Sequence, residues 1–545
     1  MKAAHSLVLV VAGWCAGAAA QDAGRPLGLG PEWRGPVPPT ARNEVFATGD
    51  GCAMCHSASL HSTAMRSATG EDVSPHALWR ASVMANSFRD PFWRAQVARE
   101  VAADPDRAEE VQALCQRCHA PMLSHSRRLA GQGPIDVAHA AGDALAKDGV
   151  SCTVCHQIQA AGLGTDATWA GKGRIEKSRQ IFGPFADPVA APMQQFASYR
   201  VVHGAHVQTA GLCATCHTLH TEHTGETFPE QVPFLEWQNS VFSDENGRTA
   251  TSRTCQECHI ADLGRTRIAR DPDGGEFLIQ PRAPYRSHSF VGGNAFLLDL
   301  LAANAEDLGV DAPVEALWQN SKASRRLLTE DTVTVSIGEL VRRDGTLQFA
   351  VRIENLAGHK FPTAFPSRRA WLHVRVQTPR KVLFESGRYS REGHLLDVAD
   401  ELGEPHRQRI TSANEVAVYE MIAADVAGQP TTLLTGMRKR MKDNRLLPKG
   451  WRADGPHAAD TAPVGIGDDA DFVAGGDTVQ YAVPIAADAP RVTVVVWMQF
   501  QTMPAHWIAP LREIDAPECR VFVAMYDAAN EQPETVAVAV REEAR

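Results

Sequence analysis

Five times between residues 52 and 259 this 545-residue chain repeats Cys-x-x-Cys-His: Cys52/Cys55/His56, Cys115/Cys118/His119, Cys152/Cys155/His156, Cys213/Cys216/His217 and Cys255/Cys258/His259. The spacing has a chemical reason. Two thiols three positions apart can each add to one vinyl group of a single porphyrin, and the histidine after the second thiol is then held over the ring as the proximal iron ligand. Structural zinc is the alternative, because paired Cys-x-x-Cys knuckles also build tetrahedral sites. Zinc gives no reason for a histidine after every pair. The repeats therefore predict five covalent haems c.

The remaining cysteines agree. Of twelve, ten lie in the repeats. Cys15 falls in the leader described next, and Cys519 is left alone in an apolar run, where a small buried hydrophobe is the expected role. Lys2, the apolar stretch Leu7 to Ala18 and Ala18-Ala19-Ala20 before Gln21 read as an export signal, too short to span a bilayer. Trp14 before Cys15 does not suit a lipid anchor. Haem c attachment takes place outside the cytoplasm, so both signals predict an exported, periplasmic chain with no spanning segment once the leader is removed. A formal charge of −10 speaks against nucleic acid and for docking to a basic patch on a redox partner protein, periplasmic or membrane-bound.

The chain divides by pattern. Residues 1–20 are the signal, and 21–43, with Pro26, Pro31, Pro36, Pro38 and Pro39, read as an extended lead-in. Residues 44–290 carry the repeats among short helix-like pieces. Ala77 to Ala102 and Asp104 to Gln116 look helical, the second delivering its repeat at the helix end. The long gap after Cys55 suggests that the first haem sits apart. A helical connector spans 291–328, with Asn294 to Leu308 and Val314 to Leu328. From 329 to 545 the pattern changes to short strands: Thr332 to Ile337, Thr346 to Glu354, Ala370 to Gln377, Val382 to Glu385, Thr478 to Pro484 and Val492 to Gln501. The fold class expected is α+β and multidomain: a mostly α, haem-packed N-terminal domain followed by a β-sandwich-like one.

Five irons need five opposite positions. A second His or Met closes an iron and makes it a carrier, whereas an open position admits a small molecule. Ten histidines are candidates: His61, His76, His125, His139, His203, His206, His220, His223, His288 and His359. His203 and His206 stand just before Cys213. His288 lies in YRSHSFVGGN, whose glycines allow backbone close to a flat ring. His359 lies in NLAGHKFPTAFPSRR, a stiff loop at a strand end. Met84 is the sulfur candidate and Met122 a weaker one, since buried methionine is commonly packing. In Met441 to Trp451, MKDNRLLPKGW, Arg445 and Lys449 are read as surface residues or as partners of haem propionates.

Taken together, HALWRASVMANSFRDPFWRA, LCQRCHAPM, DGVSCTVCHQI, LCATCHTLHT, FLEWQNSVFSD, YRSHSFVGGN and GHKFPTAFPSRRAWLHV resemble an exported multihaem cytochrome c family. That family is related to the nitrifier tetrahaem cytochrome and, more distantly, to hydroxylamine oxidoreductases. The resemblance covers roughly residues 44 to 530. In that group a Trp-x-x-Ser-x-His segment supplies an opposite histidine; the matching positions here are Trp79/Ser82/Met84 and Trp237/Ser240/Phe242. Met84 can keep the role through its thioether, and Phe242 cannot. The resemblance also implies His288 and His359 as ligands. Electron transfer through five haems is the leading function. A haem oxidoreductase acting on a small nitrogen or sulfur species at an open iron is the alternative, against which stands the lack of a Cys-x-x-Cys-Lys variant.

Overall fold

The computed structural model describes residues 41–223, 226–396, 398–529 and 533–544. The export signal and nearly all of the lead-in lie outside these residues. Among them, no helix is long and apolar enough to cross a membrane.

The first half is built from short helices joined by long irregular segments, and every repeat is seated on a helix. Cys52, Cys55 and His56 lie on Gly49–His56 and Cys115, Cys118 and His119 end Ala108–His119; the later repeats sit on or just beyond Cys152–Cys155, Ala210–Ala214 and Cys255–His259. A helical turn brings positions i, i+3 and i+4 to one face, which is where a Cys-x-x-Cys-His triplet must present its side chains. The helix expected over 77–102 is two helices, Pro75–Arg80 and Pro91–Ala103. The break falls at Asp90-Pro91. The Asp90 carboxylate accepts from the backbone N–H groups of Phe92 and Trp93, and Pro91 occupies the first turn, where no N–H is needed.

The first repeat does not sit apart. The Gly49 N–H donates to Asp148 at 2.8 Å, and Thr153, inside the third repeat, donates to the Ala47 carbonyl at 2.8 Å. Distance along the chain misled because a loop can return a repeat to its neighbour at little extra entropic cost.

In the second half two five-stranded sheets face one another. One runs Arg409–Ile410, Gly476–Pro484, Thr346–Asn355, Val333–Ile337, with Val341–Arg343 added to Thr346–Asn355; the other runs Val418–Tyr419, Arg369–Gln377, Thr493–Gln501, Glu534–Glu542, with Val382–Ser386 added to Arg369–Gln377. Leu347, Phe349, Val351 and Ile353 of the first meet Leu372, Val374, Val376, Val494, Val496 and Met498 of the second in one core. Alternation along each strand sends these side chains inward, and burying each contributes roughly 1.5–3 kcal/mol. All six strands expected from the sequence are present.

Two helices of the second half were not legible as such. Ala505–Arg512 and Pro517–Ala529 pack with Ala295–Ala303 and with Pro91–Ala103 in a second core that includes Phe92, Ala95, Leu300, Trp507 and Phe522. Cys519 is buried there and donates to the Ala95 carbonyl at 3.4 Å. Residues from both ends of the chain thus share one apolar cluster.

Candidate functional site

All five repeats open on one cavity of about 1520 Å³. Its walls include every repeat cysteine and histidine and, from outside the repeats, His76, His220, His288, His359, Met84, Phe242 and Arg368.

The repeat histidines share a geometry suited to metal binding. Nδ1 of His56, His119, His156 and His259 lies 2.9, 2.9, 2.7 and 2.8 Å from the carbonyls of Ile268, Ser87, Phe182 and Val291. A carbonyl only accepts, so Nδ1 carries the proton and Nε2 keeps its lone pair, the arrangement in which a histidine is fixed by one nitrogen and ligates through the other. Burial keeps these rings neutral: it lowers the pKa of His56, His156 and His217 and pushes His119 and His259 down to about 4. Trp93 lies flat on His119, centroids 4.5 Å apart and planes 4° apart.

Two non-repeat imidazoles face repeat imidazoles. His288 and His156 have centroids 6.4 Å apart with planes at 19°; His359 and His259 are 6.2 Å apart at 10°. This is too far for ring stacking and is the spacing of two imidazoles on opposite sides of one ion, since metal–nitrogen bonds of about 2.0–2.1 Å place the ring centres about 6 Å apart. Both facing rings have Nδ1 on a carbonyl, His288 on Arg286 at 3.1 Å and His359 on Lys360 at 2.8 Å. Among the described residues, these are the pairs in which a non-repeat imidazole faces a repeat imidazole so closely.

Each facing histidine is positioned by elements far away in sequence. The His288 loop is held by Asn320 of Val314–Asp331, whose Nδ2 donates to Ser289 at 2.8 Å and Ala81 at 3.0 Å; the same loop supplies the Val291 carbonyl for His259. The His359 loop is fixed by buried charges. Lys360 Nζ meets Asp443 at 2.7 Å, Arg445 Nε meets Asp443 at 2.7 Å, and Arg445 Nη1 lies 3.4 Å from Glu236, with Lys360, Asp443 and Glu236 fully buried. Glu236 in turn accepts from the Lys360 N–H at 3.1 Å and from Thr363. Phe361 and Leu446 exchange two backbone hydrogen bonds of 2.9 Å beside it. Arg445 is therefore neither a surface residue nor free for a propionate, because Asp443 and Glu236 already hold it; Lys449 pairs with Glu354 at 2.9 Å.

The other candidates are placed differently. His203 is exposed at the end of strand Arg200–His203, and His206 commits Nε2 to the Ile158 carbonyl at 2.9 Å; neither lines the cavity. Met84 lines the cavity, while Met122 is fully buried and accepts from Thr153. His125 has both nitrogens engaged, with Ile175 and Arg128, and His61 and His139 are exposed. The side chain of His223 lies outside the described residues. His76 and His220 do line the cavity, His76 3.6 Å from Asp50 and His220 3.3 Å from Asp460. Phe242 packs near Gly358, immediately before His359: a Cβ on Gly358 would come within 3.5 Å of it.

Neighbouring repeats also meet. Gln256, inside the fifth repeat, donates to the carbonyls of Val207 and Thr209 just before Ala210–Ala214, so the fourth and fifth repeats adjoin. A four-coordinate zinc knuckle needs its ligands to converge on one point. Among the described residues, the group of three or more ligand-type side chains that does so is His406, Asp469 and Asp477, far from the repeats and already tied together by Asn444 and Tyr419.

No family model matches the chain, and no curated protein does. A solved structure that matches is that of a penta-heme cytochrome c552 from Thermochromatium tepidum, with a TM-score of 0.50 and 14% sequence identity, covering 93% of this chain and 100% of that one. Over nearly its whole length, then, this chain is similar in fold to a penta-heme cytochrome.

Proposed function

We propose that the chain is an exported cytochrome that binds five haems c and passes electrons between redox partner proteins. The observation that carries the reading is the convergence of five Cys-x-x-Cys-His helices on one cavity, with two of their histidines faced by a second imidazole at the spacing of two ligands on one iron. The ten repeat cysteines would form the thioethers. His56, His119, His156, His217 and His259 would be proximal ligands, with His288 opposite His156 and His359 opposite His259. When bound, haem iron supplies a one-electron couple whose potential the surrounding protein sets. The residues do the rest: carbonyls orient the imidazoles, and burial keeps them neutral. The segments that resemble the nitrifier tetrahaem and hydroxylamine oxidoreductase group support a relation to it.

A second reading, reaction of a small nitrogen or sulfur species at an open iron, rests on His56, His119 and His217, which no other imidazole faces at this spacing among the described residues. Met84, His76 and His220, on the cavity wall, are the closing ligands it must lack. Mass spectrometry of the denatured mature protein should find five covalent haems, and four or fewer would overturn the assignment of the repeats. Carbon monoxide added to the reduced protein divides the readings. An unperturbed spectrum is the carrier; a carbonyl complex at one or more haems is the enzyme.

A further inference from the structure

Arg368 is a partly buried cation with no carboxylate partner. It lies on the loop that carries His359 and faces the cavity. Its Nη1 donates to the Thr363 carbonyl at 3.0 Å and its Nη2 to the Asn294 side-chain oxygen at 2.7 Å, both neutral acceptors, while Nε is buried with no partner. Burial alone pushes its pKa down to about 10, with no carboxylate to offset it. The buried Arg369, next in the chain, meets Glu401, and the buried Arg445 meets Asp443 and Glu236. A buried, unpaired guanidinium is destabilising unless an anion meets it, and its planar fork matches the two oxygens of a carboxylate or small oxyanion.

We propose that Arg368, braced by Asn294, is the seat of a carboxylate-class oxyanion inside the cavity, on the loop that carries His359; the proposal rests on the cytochrome reading. Two sources share this chemistry, a propionate of a covalently bound haem and a free small oxyanion. Resonance Raman spectra and a nitrite titration of the oxidised five-haem protein separate them. If a propionate occupies the seat, Arg368→Gln shifts a propionate-bending band, Arg368→Lys shifts it less, and nitrite leaves the wild-type spectrum unchanged. If a free oxyanion occupies it, nitrite produces a saturable change in the wild type, weakened at least tenfold in Arg368→Gln, and the propionate bands stay in place. Unmoved bands together with a nitrite response that is absent, or equal in wild type and variant, would overturn the seat. Should Arg368→Gln fail to accumulate, Asn294→Ala, which removes only the brace, is read in the same two measurements with the same outcomes. The haem count of each preparation keeps the inferences apart: a wild type with fewer than five haems sinks the cytochrome reading, whereas five haems with neither response sinks the seat alone.

Discussion

Between the sheets of the second half Leu372, Val374, Val376, Val494, Val496 and Met498 are fully buried against one another, and the polypeptide supplies its own interior. In the first half the apolar clusters are smaller and lie around a cavity of about 1520 Å³ walled by repeat cysteines and histidines. Protein interiors are close-packed, so a space of this size belongs to something other than side chains. The difference teaches which half can hold its shape alone.

The largest effect should come from withholding haem. In chain made without attachment, amide exchange should leave the central strands Arg369–Gln377 and Thr493–Gln501 protected at close to the global stability, on the order of 5–15 kcal/mol, while residues 44–290 exchange with little protection. Hydrogen-exchange mass spectrometry reads both halves at once, and equal protection would break the comparison.

The seam comes next. Burial alone would raise Asp443, yet Arg445 and then Lys360 overcome it and hold the carboxyl well below the usual carboxylate range. Its contribution to stability is therefore complete above about pH 4, where the unfolded carboxyl is ionised too, and is lost as pH falls towards the depressed native value. Asp443→Asn leaves Lys360 buried without its anion and Arg445 with Glu236 alone, and should cost about 3–5 kcal/mol at neutral pH. Denaturant melts of mutant and wild type should converge as the medium is acidified; a constant difference would mean that the carboxylate charge is not what holds the seam.

His359→Gly should cost less stability and show in the spectrum, turning one haem in five from low to high spin with all five still attached. An unchanged spectrum would confine the second half to a structural role. The smallest effect is expected at the last repeat, where Thr254 and Glu257 form a reciprocal cap on Cys255–His259. Thr254→Ala should lower the melting free energy by about 1 kcal/mol with the spectrum intact.

Much of this was legible from residues alone, because strands with one buried face alternate and haem attachment needs a fixed spacing. His288 and His359 were singled out from their glycine- and proline-flanked loops. Less legible were features that depend on partners distant in sequence. MKDNRLL suggests surface charge until Glu236 and Lys360 are brought against Asp443 and Arg445, and Arg368 looks ordinary until its lack of a carboxylate is seen. The helix Pro517–Ala529 had a signal, with Cys519, Phe522, Met525 and Tyr526 recurring at helical spacing, and the short apolar run around Cys519 obscured it.

The bridge between Phe361 and Leu446 bears on the order of assembly. The imidazole facing His259 belongs to a loop that is seated only when the segment around residue 446 has been added and folded back onto it. Synthesis proceeds from the N-terminus, and contacts between remote positions close late. The chain therefore carries an internal timer: the fifth repeat, first of the pair to be made, waits on the sheets behind it, and its completion reports that the far half of the molecule has arrived.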